Sequence, residues 1–301
     1  MLTFREYLKQ PRLLFSSLLR EFGFWIPDRW YLMMKYYLET GHYLHLKNPR
    51  TFGEKIQWLK LYDRRPEYTM MVDKYAVKKY VANVIGEKYV IPTIGVWDKP
   101  EEIDFDILPQ QFVLKTTHGG GGCGIVICRD KSHFDRSSAI RILSNALKQD
   151  IYRWGREWAY KDVRRRIIAE KYICEADGDL KDYKVFTFGG EPKLIELDYN
   201  RFQKHQRNLY DFNWNRIDAT IKYPSDLGRF FEKPKVLEEL YALSCKLSTG
   251  IPHVRIDYYI LGNKIFFGEM TFYHGSGYEK IVPSSFDLQM GGWLKLPIKK
   301  V

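Results

Sequence analysis

Apolar residues recur at helical spacing through the first fifty positions, with Leu13, Leu14, Ser17, Leu18 and Phe22 on one stripe and Leu32, Tyr36 and Tyr37 on another. Such a stripe fits either a basic amphipathic face for a membrane or acidic polymer, or the commoner case of a face packed on the main domain. Asn48 to Gly53 reads as a turn into a short helix carrying Ile56, Leu59 and Tyr62, which Pro66 ends. Asp73 caps a helix through Ile85 with Ala76, Tyr80 and Val84 on its inner face. Ile94 to Trp97 is a strand, and acidic Glu101 to Asp106 a loop. Ser137 caps a helix to about Lys148, with Ile140, Leu143 and Leu147 inward. The basic run from Arg164 enters a strand ending near Ile173, and Tyr183–Phe188 and Lys193–Leu197 form a hairpin about Gly189-Gly190. Residues 199–234 are polar and aromatic with little periodicity. Lys235 to Thr249 is an amphipathic helix (Leu237, Leu240, Leu243, Leu247), stopped by Gly250 and Pro252.

One stretch organises the rest: Phe112-Val-Leu-Lys115-Thr-Thr-His118-Gly119-Gly120-Gly121-Gly122-Cys-Gly124-Ile-Val-Ile127. It reads as strand, glycine loop, strand, with a lysine at the loop's base. Glycines let backbone N–H groups approach an anion closely, so a polyphosphate is the simplest ligand. Gly119-x-Gly121-x-x-Gly124 matches the dinucleotide fingerprint literally, but that motif needs a helix next, and Ile125–Cys128 is strand-like. A kinase loop needs its lysine afterwards, with His-Arg-Asp and Asp-Phe-Gly, and a Walker loop ends in Gly-Lys-Ser/Thr; none of these occurs. A hairpin-type phosphate flap remains, against the alternative of a plain surface turn.

The last hairpin carries the second chemical cluster, His253-Val-Arg255-Ile-Asp257 running to Glu269-Met-Thr271 around Gly262-Asn263. With a three-residue loop, 262–264, Leu261 pairs with Ile265, Asp257 with Glu269 and Arg255 with Thr271. Ile256, Tyr258 and Ile260 then meet Met270, Gly268 and Phe266 on the apolar face. A two-residue loop would shift the register by one and part the carboxylates, so the pattern favours the longer loop. Two carboxylates paired across strands repel unless a cation lies between them. Oxygen ligands near a triphosphate suit Mg²⁺, and a salt-bridged pair with Arg255 is the alternative. The tail Phe272-Tyr-His274-Gly275-Ser276-Gly277 could present backbone donors to a reacting oxygen.

Composition narrows the classes. The 301 residues, 45% hydrophobic, suffice for a substantial core and one elaborated or two ordinary domains. A net charge of +11 favours anionic partners. The four cysteines form no Cys-x-x-Cys pair and suit no zinc site, which points to a reducing compartment. Leu13–Ile26, the most apolar early segment, is broken by Arg20 and Glu21 and lacks a signal-peptide layout. The expectation is a cytoplasmic protein, with peripheral contact at the inner face of a membrane as a possibility.

The order of these features resembles the ATP-grasp superfamily: the Lys115 strand and glycine flap, Glu170-Lys171-Tyr172-Ile173, Arg255-Ile-Asp257, and Glu269-x-Thr271 followed by Gly275. More closely, Asn48–Ile56, Asp73-Lys74, Lys115–Gly119 and Arg201–Trp214 resemble blocks of the TupA-like ATP-grasp family of cell-surface polysaccharide synthesis. The resemblance runs over about residues 48–297. It implies an α/β (α+β) ATP-grasp fold, two α+β subdomains clasping ATP: a helical region 1–72, a flap subdomain 73–168 and a metal subdomain 169–301. It implies ATP and Mg²⁺ as cofactors and ATP-dependent ligation of a carboxylate to an amine through an acyl phosphate. Uronic acid of a wall or capsule polymer and an amino acid are the expected partners. By the same resemblance Lys115, His118 and Gly119 to Gly122 contact phosphates. Glu170, Lys171, Tyr172 and Ile173 form the adenine hinge, and Glu175 or Asp177 holds the ribose. Asp257, Glu269 and Thr271 bind the metal, Thr271 standing where the superfamily usually has asparagine. Arg255 steadies the acyl phosphate, with Lys115 and Gly275 beside it. Arg201, His205, Arg207, His274 and Ser276 are read as acceptor contacts rather than a nucleic-acid surface. No usual N-terminal α/β domain is evident before residue 90, which leaves the acceptor site open. The rival reading is a glycosyltransferase using Asp177-Gly-Asp179 as its metal motif.

Overall fold

The computed structural model describes residues 11–120, 122–174, 180–200, 205–226 and 228–298. Helices α1 (Pro11–Phe22), α2 (Asp28–Thr40), α3 (Phe52–Tyr62), α4 (Glu67–Val72) and α5 (Ala76–Ile85) come first. Thr51 and Glu54 close a capping box at the start of α3, the Asn48–Gly53 turn signal made physical. Helix α4 begins directly after Pro66, where the sequence predicts only the end of a helical unit. In α5 the innermost line is Val77 and Val81, one residue round from Ala76, Tyr80 and Val84, which are half-buried.

The flap sheet is antiparallel, in the order β1 (Thr93–Trp97), β4 (Ile167–Lys171), β2 (Phe112–Thr116), β3 (Ile125–Cys128). Helix α6 (Arg136–Leu147) covers it, capped by Asp135 accepting from the Ser138 N–H rather than by Ser137. Phe112, Leu114, Cys128, Leu143, Ile167 and Ala169 form its separate core. A short helix, α7 (Ile151–Gly155), precedes β4.

The larger sheet has six strands, β11 (Lys264–Thr271), β10 (His253–Leu261), β5 (Asp182–Phe188), β6 (Glu191–Tyr199), β7 (Gln206–Tyr210) and β8 (Arg216–Ile217). Strands β9 (Thr220–Ile221) and β12 (Ile281–Val282) form a small ribbon, and α9 (Ser284–Trp293) follows. Its core face, with Val185, Ile195, Leu197, Ile256, Tyr258 and Met270, is closed by helix α8 (Leu237–Leu247). Tyr31, Leu32 and Ile56 share this core with Val77 and Val81. Strands β7 to β9 lie in the stretch without periodic signal. Arg207 and Asn208 are buried polar residues in mid-strand, which erases the alternation that marks a strand.

Candidate active site

The β10–β11 hairpin sets the site's geometry. Its turn holds two residues, because Leu261 pairs with Lys264, Ile260 with Ile265 and Tyr258 with Phe267. The register then slips at a bulge, after which Asp257 pairs with Glu269, Ile256 with Met270 and Arg255 with Thr271. The expected carboxylate pairing is present, but the extra residue is Gly268 and not a third loop position. Between turn and bulge the core residues are therefore Ile265 and Phe267, where the longer loop had put Phe266. Glycine suits position 268: a Cβ would lie 3.1 Å from the Asp257 carbonyl oxygen.

Across the sheet's other face runs a continuous ladder of charge. Arg255 grips Asp257 with both arms of its guanidinium, at 2.7 and 2.8 Å. Its Nη2 also donates to Glu269 Oε1 at 3.3 Å and to the Thr271 hydroxyl at 3.2 Å. Its Nη1 lies 2.6 Å from His274 Nδ1. Since a guanidinium only donates, that ring nitrogen accepts, and the proton sits on Nε2, 3.1 Å from Glu279 Oε2. Lys184 lies 2.8 Å from Asp182, 3.2 Å from Asp257 and 3.6 Å from Asp198. Arg207 closes the ladder on Asp198 (2.7 Å) and Glu196 (2.8 Å). Burial disfavours charge on Lys184, yet Asp182 and Asp257 outweigh it and raise its pKa. Burial raises the Glu196 carboxyl, partly countered by Arg207.

Lys74 joins this ladder to the flap. Its Nζ lies 2.8 Å from Glu269 Oε2 and donates to the Gly119 carbonyl at 2.6 Å. Desolvation opposes charge at Glu269, but Lys74 and Arg255 overcome it and hold the carboxyl well below the usual range. Lys115, at the flap's base, lies 2.6 Å from Glu170 Oε2, and Lys78 binds the other oxygen at 2.5 Å. These two cations outweigh burial and keep Glu170 ionised below its ordinary value. Glu170 thus stands opposite Val113 on the lysine face of β2. Lys171 is exposed at the end of β4, followed by half-buried Tyr172 and Ile173.

Within the flap, Gly119 folds against Thr116, whose Oγ1 would stand 2.4 Å from a Cβ. Gly120 and Gly122 face open space, Gly122 with φ +83°. His118 is buried beneath, its Nε2 3.2 Å from the Gln149 carbonyl oxygen, and desolvation lowers its pKa. The 274–277 turn packs on α3. Gln57 and Lys60 both donate to the Ser276 carbonyl at 2.8 Å, and Lys60 reaches the Ser276 hydroxyl at 2.8 Å. Lys60 is wholly buried, which pushes its pKa down to about 7 against the pull of Glu157. Gly277, at φ +69°, admits no side chain, since a Cβ would meet Gln57 at 2.5 Å and Ile56 at 2.9 Å. Gly275 likewise backs onto Glu279.

The structure therefore gathers Arg255, Asp257, Glu269, Thr271 and His274 with the flap at Gly119. Lys115 and Glu170 pair on the flap sheet. His205 stacks on Tyr223 at the far end of the ladder, with buried Arg207 beside it. Gly121, Glu175, Asp177, Asp179 and Arg201 lie outside the described residues. Four lysines beyond the expected site carry its geometry: Lys60, Lys74, Lys78 and Lys184. Lys184 had a signal, since Asp182 and Lys184 alternate with apolar residues on a strand.

Among the described residues no group of three or more histidine, cysteine, aspartate or glutamate side chains is arranged to hold a metal. The donor chemistry at the hairpin is still that of a hard cation, two carboxylates and a hydroxyl, all oxygen. Of the carboxylates, Glu269 is 29% exposed and Asp257 7%, so Glu269 offers the accessible oxygens.

A family model described as TupA-like ATPgrasp matches residues 54–295. No curated protein matches. Among solved structures, D-alanine–D-alanine ligase from Helicobacter pylori aligns at 15% identity over 81% of this chain and 69% of its own, with TM-score 0.45. D-alanine–D-alanine ligase from Bacillus anthracis complexed with ATP aligns at 14% identity over 67% of this chain and 54% of its own, TM-score 0.39. A RimK domain ATP-grasp protein from Sphaerobacter thermophilus aligns at 12% identity over 75% and 69%, TM-score 0.41. The chain thus spans between 54% and 69% of the length of these proteins.

Proposed function

Because the chain belongs to the TupA-like ATP-grasp family, we propose that it is an ATP-dependent carboxylate–amine ligase that joins an amine or amino acid to a uronic acid of a cell-surface polysaccharide. The observation that carries this reading is the Lys74 bridge, which ties the glycine flap to the carboxylate hairpin. A flap able to hold polyphosphate and a carboxylate pair able to hold Mg²⁺ are useful together only if one ligand spans both.

In the first step a substrate carboxylate oxygen attacks the γ-phosphorus of ATP; the bond to the β-phosphate oxygen breaks and ADP leaves. The amine then attacks the acyl carbon, phosphate departs, and the amine loses a proton. No protein nucleophile is required, so positioning and charge stabilisation carry the rate. Lys74 and Lys115 supply cations to the phosphates, and Gly119 to Gly122 supply backbone donors. Glu269, with Thr271 and Asp257 behind it, would hold Mg²⁺, which screens the phosphate charge. Arg255, fixed by Asp257 and His274, faces the acyl phosphate. Lys171, Tyr172 and Ile173 border the adenine, and His205 belongs to the acceptor side. The reaction places the protein in the cytoplasm, where ATP is available.

The test is ADP and phosphate release from ATP and Mg²⁺ with panels of uronates and amines, together with thermal stabilisation by Mg²⁺–ATP. Saturating nucleotide at a hundred times its Kd adds about 2.7 kcal/mol of stability. We expect that shift in the wild type and its loss in Lys115→Ala and Glu269→Ala. A protein that neither gains stability from nucleotide nor releases ADP with any pair would sink the reading.

A further inference from the structure

We propose that the helical hairpin formed by α1 and α2 seats the protein on an anionic phospholipid surface. This does not rest on the ligase reading. Helix α1 is inside out: its one buried residue is Ser16, which hydrogen-bonds Lys35 and Glu39 of α2. Of its apolar residues Leu13 and Leu19 are half-buried, Leu19 against the main core, and the others point away. Leu14, Phe15, Leu18 and Phe22 are exposed, as are Phe24 and Trp25 (63% and 73%) in the turn that follows. On α2, Trp30, Met34 and Tyr37 continue the surface at helical spacing. Residues 14–43 hold half of the exposed large hydrophobics among the described residues, so this is a patch and not the ordinary scatter. The expectation that this stripe packs inward on the main domain is not met by α1.

The charge beside the patch selects the occupant. The hairpin's acids are satisfied internally: Glu39 by Lys35, Asp28 by Arg64 and Arg156, Glu21 by Arg20. Next to Trp30, Arg29 lines a depression of about 460 Å³ together with Lys47, Arg50 and Glu54, whose carboxylate accepts from the backbone N–H groups of Arg50 and Thr51. Tryptophan and phenylalanine flanked by exposed arginine and lysine are the composition of a helix lying in a lipid headgroup layer. A second copy of the chain would set one cationic rim against another, on a protein already at +11. An anionic bilayer satisfies both the aromatic tip and the rim. The described helices include none long and apolar enough to cross a membrane, so the contact is interfacial.

The 301-residue chain should float with mixed phosphatidylcholine–phosphatidylglycerol vesicles and much less with phosphatidylcholine alone. Trp25→Ser/Trp30→Ser and, separately, Arg29→Glu/Lys47→Glu should each weaken partitioning about tenfold or more. Melting temperature should not change, because these side chains are exposed. Brominated acyl chains should quench wild-type tryptophan fluorescence and not that of the Trp25→Ser/Trp30→Ser variant. No flotation with either vesicle, or flotation undiminished by both variants, overturns the proposal. So does a dimer in solution that the aromatic substitutions dissociate.

Discussion

Lys184 shows how one residue holds the charged face together. It is 6% exposed and lies within reach of three aspartates, Asp182, Asp198 and Asp257. Removing one partner of a buried ion pair leaves the other charges desolvated and uncompensated, at a cost of about 3–5 kcal/mol. Lys184→Met should therefore destabilise the protein by that order in urea unfolding, whereas Lys193→Met, on the same hairpin but 33% exposed, should be near neutral. Equal effects would mean that Lys184 is not the counter-ion of this face. The sequence did carry the parity of these residues, because Asp182, Lys184, Glu196 and Asp198 break otherwise apolar strands at every second position. It did not carry their pairing across strands, which is a property of the sheet order. That is why Arg255, Asp257 and Glu269 were legible as a site while Lys184 was not. Lys74 was hidden for a related reason: it contacts Glu269 from a segment almost two hundred positions away.

At the scale of elements, the last hairpin reached the expected pairing by another route. A three-residue turn and a two-residue turn with a bulge both insert one residue between Asp257 and Glu269. The pattern of charged and apolar positions reports only the total, so both satisfied it. The bulge falls at Gly268, where a side chain would press on the Asp257 carbonyl at 3.1 Å and the Tyr259 ring at 3.3 Å. We expect Gly268→Val to cost about 1–3 kcal/mol by overpacking. Under the ligase reading it should also lower turnover, since it disturbs the pair that orients Glu269. Alanine inserted in the turn after Gly262 should be tolerated better, because the turn end of the hairpin is exposed. If the insertion were the more damaging change, the turn and not the bulge would be setting the register. Helix α6 repeats the lesson: its apolar spacing was readable, but Asp135 competed with Ser137 for the cap, and only local geometry decides between them.

For the whole molecule the consequence is a stability that falls with acid. His253 sits in the large core among Phe52, Phe186 and Phe188. Its Nδ1 faces the Thr187 carbonyl at 2.8 Å, and the charged or titratable groups that act on it are His274 and Arg255. Burial, and then those two groups, push its pKa down to about 3, with the Thr187 carbonyl opposing. The native ring stays neutral while the unfolded one protonates near its ordinary value of about 6.5. Between those limits the unfolded state binds the extra proton, so unfolding becomes easier as pH falls, by about 1.4 kcal/mol per unit. Below about 4.5 the carboxylates held low by their cations, Glu170, Glu269 and Glu279, add losses of the same sign. Glu196 and Glu157 act oppositely, since burial raises them and the native state takes their protons first. A wild-type melting curve against pH therefore mixes both signs, and the informative measurement is a difference. His253→Asn keeps an N–H for the Thr187 carbonyl but cannot protonate. It should melt lower at pH 7.5, and the gap to wild type should close as pH falls from about 6.5 to 5. A gap that is constant or widens across that window would show that His253 takes up its proton within the fold.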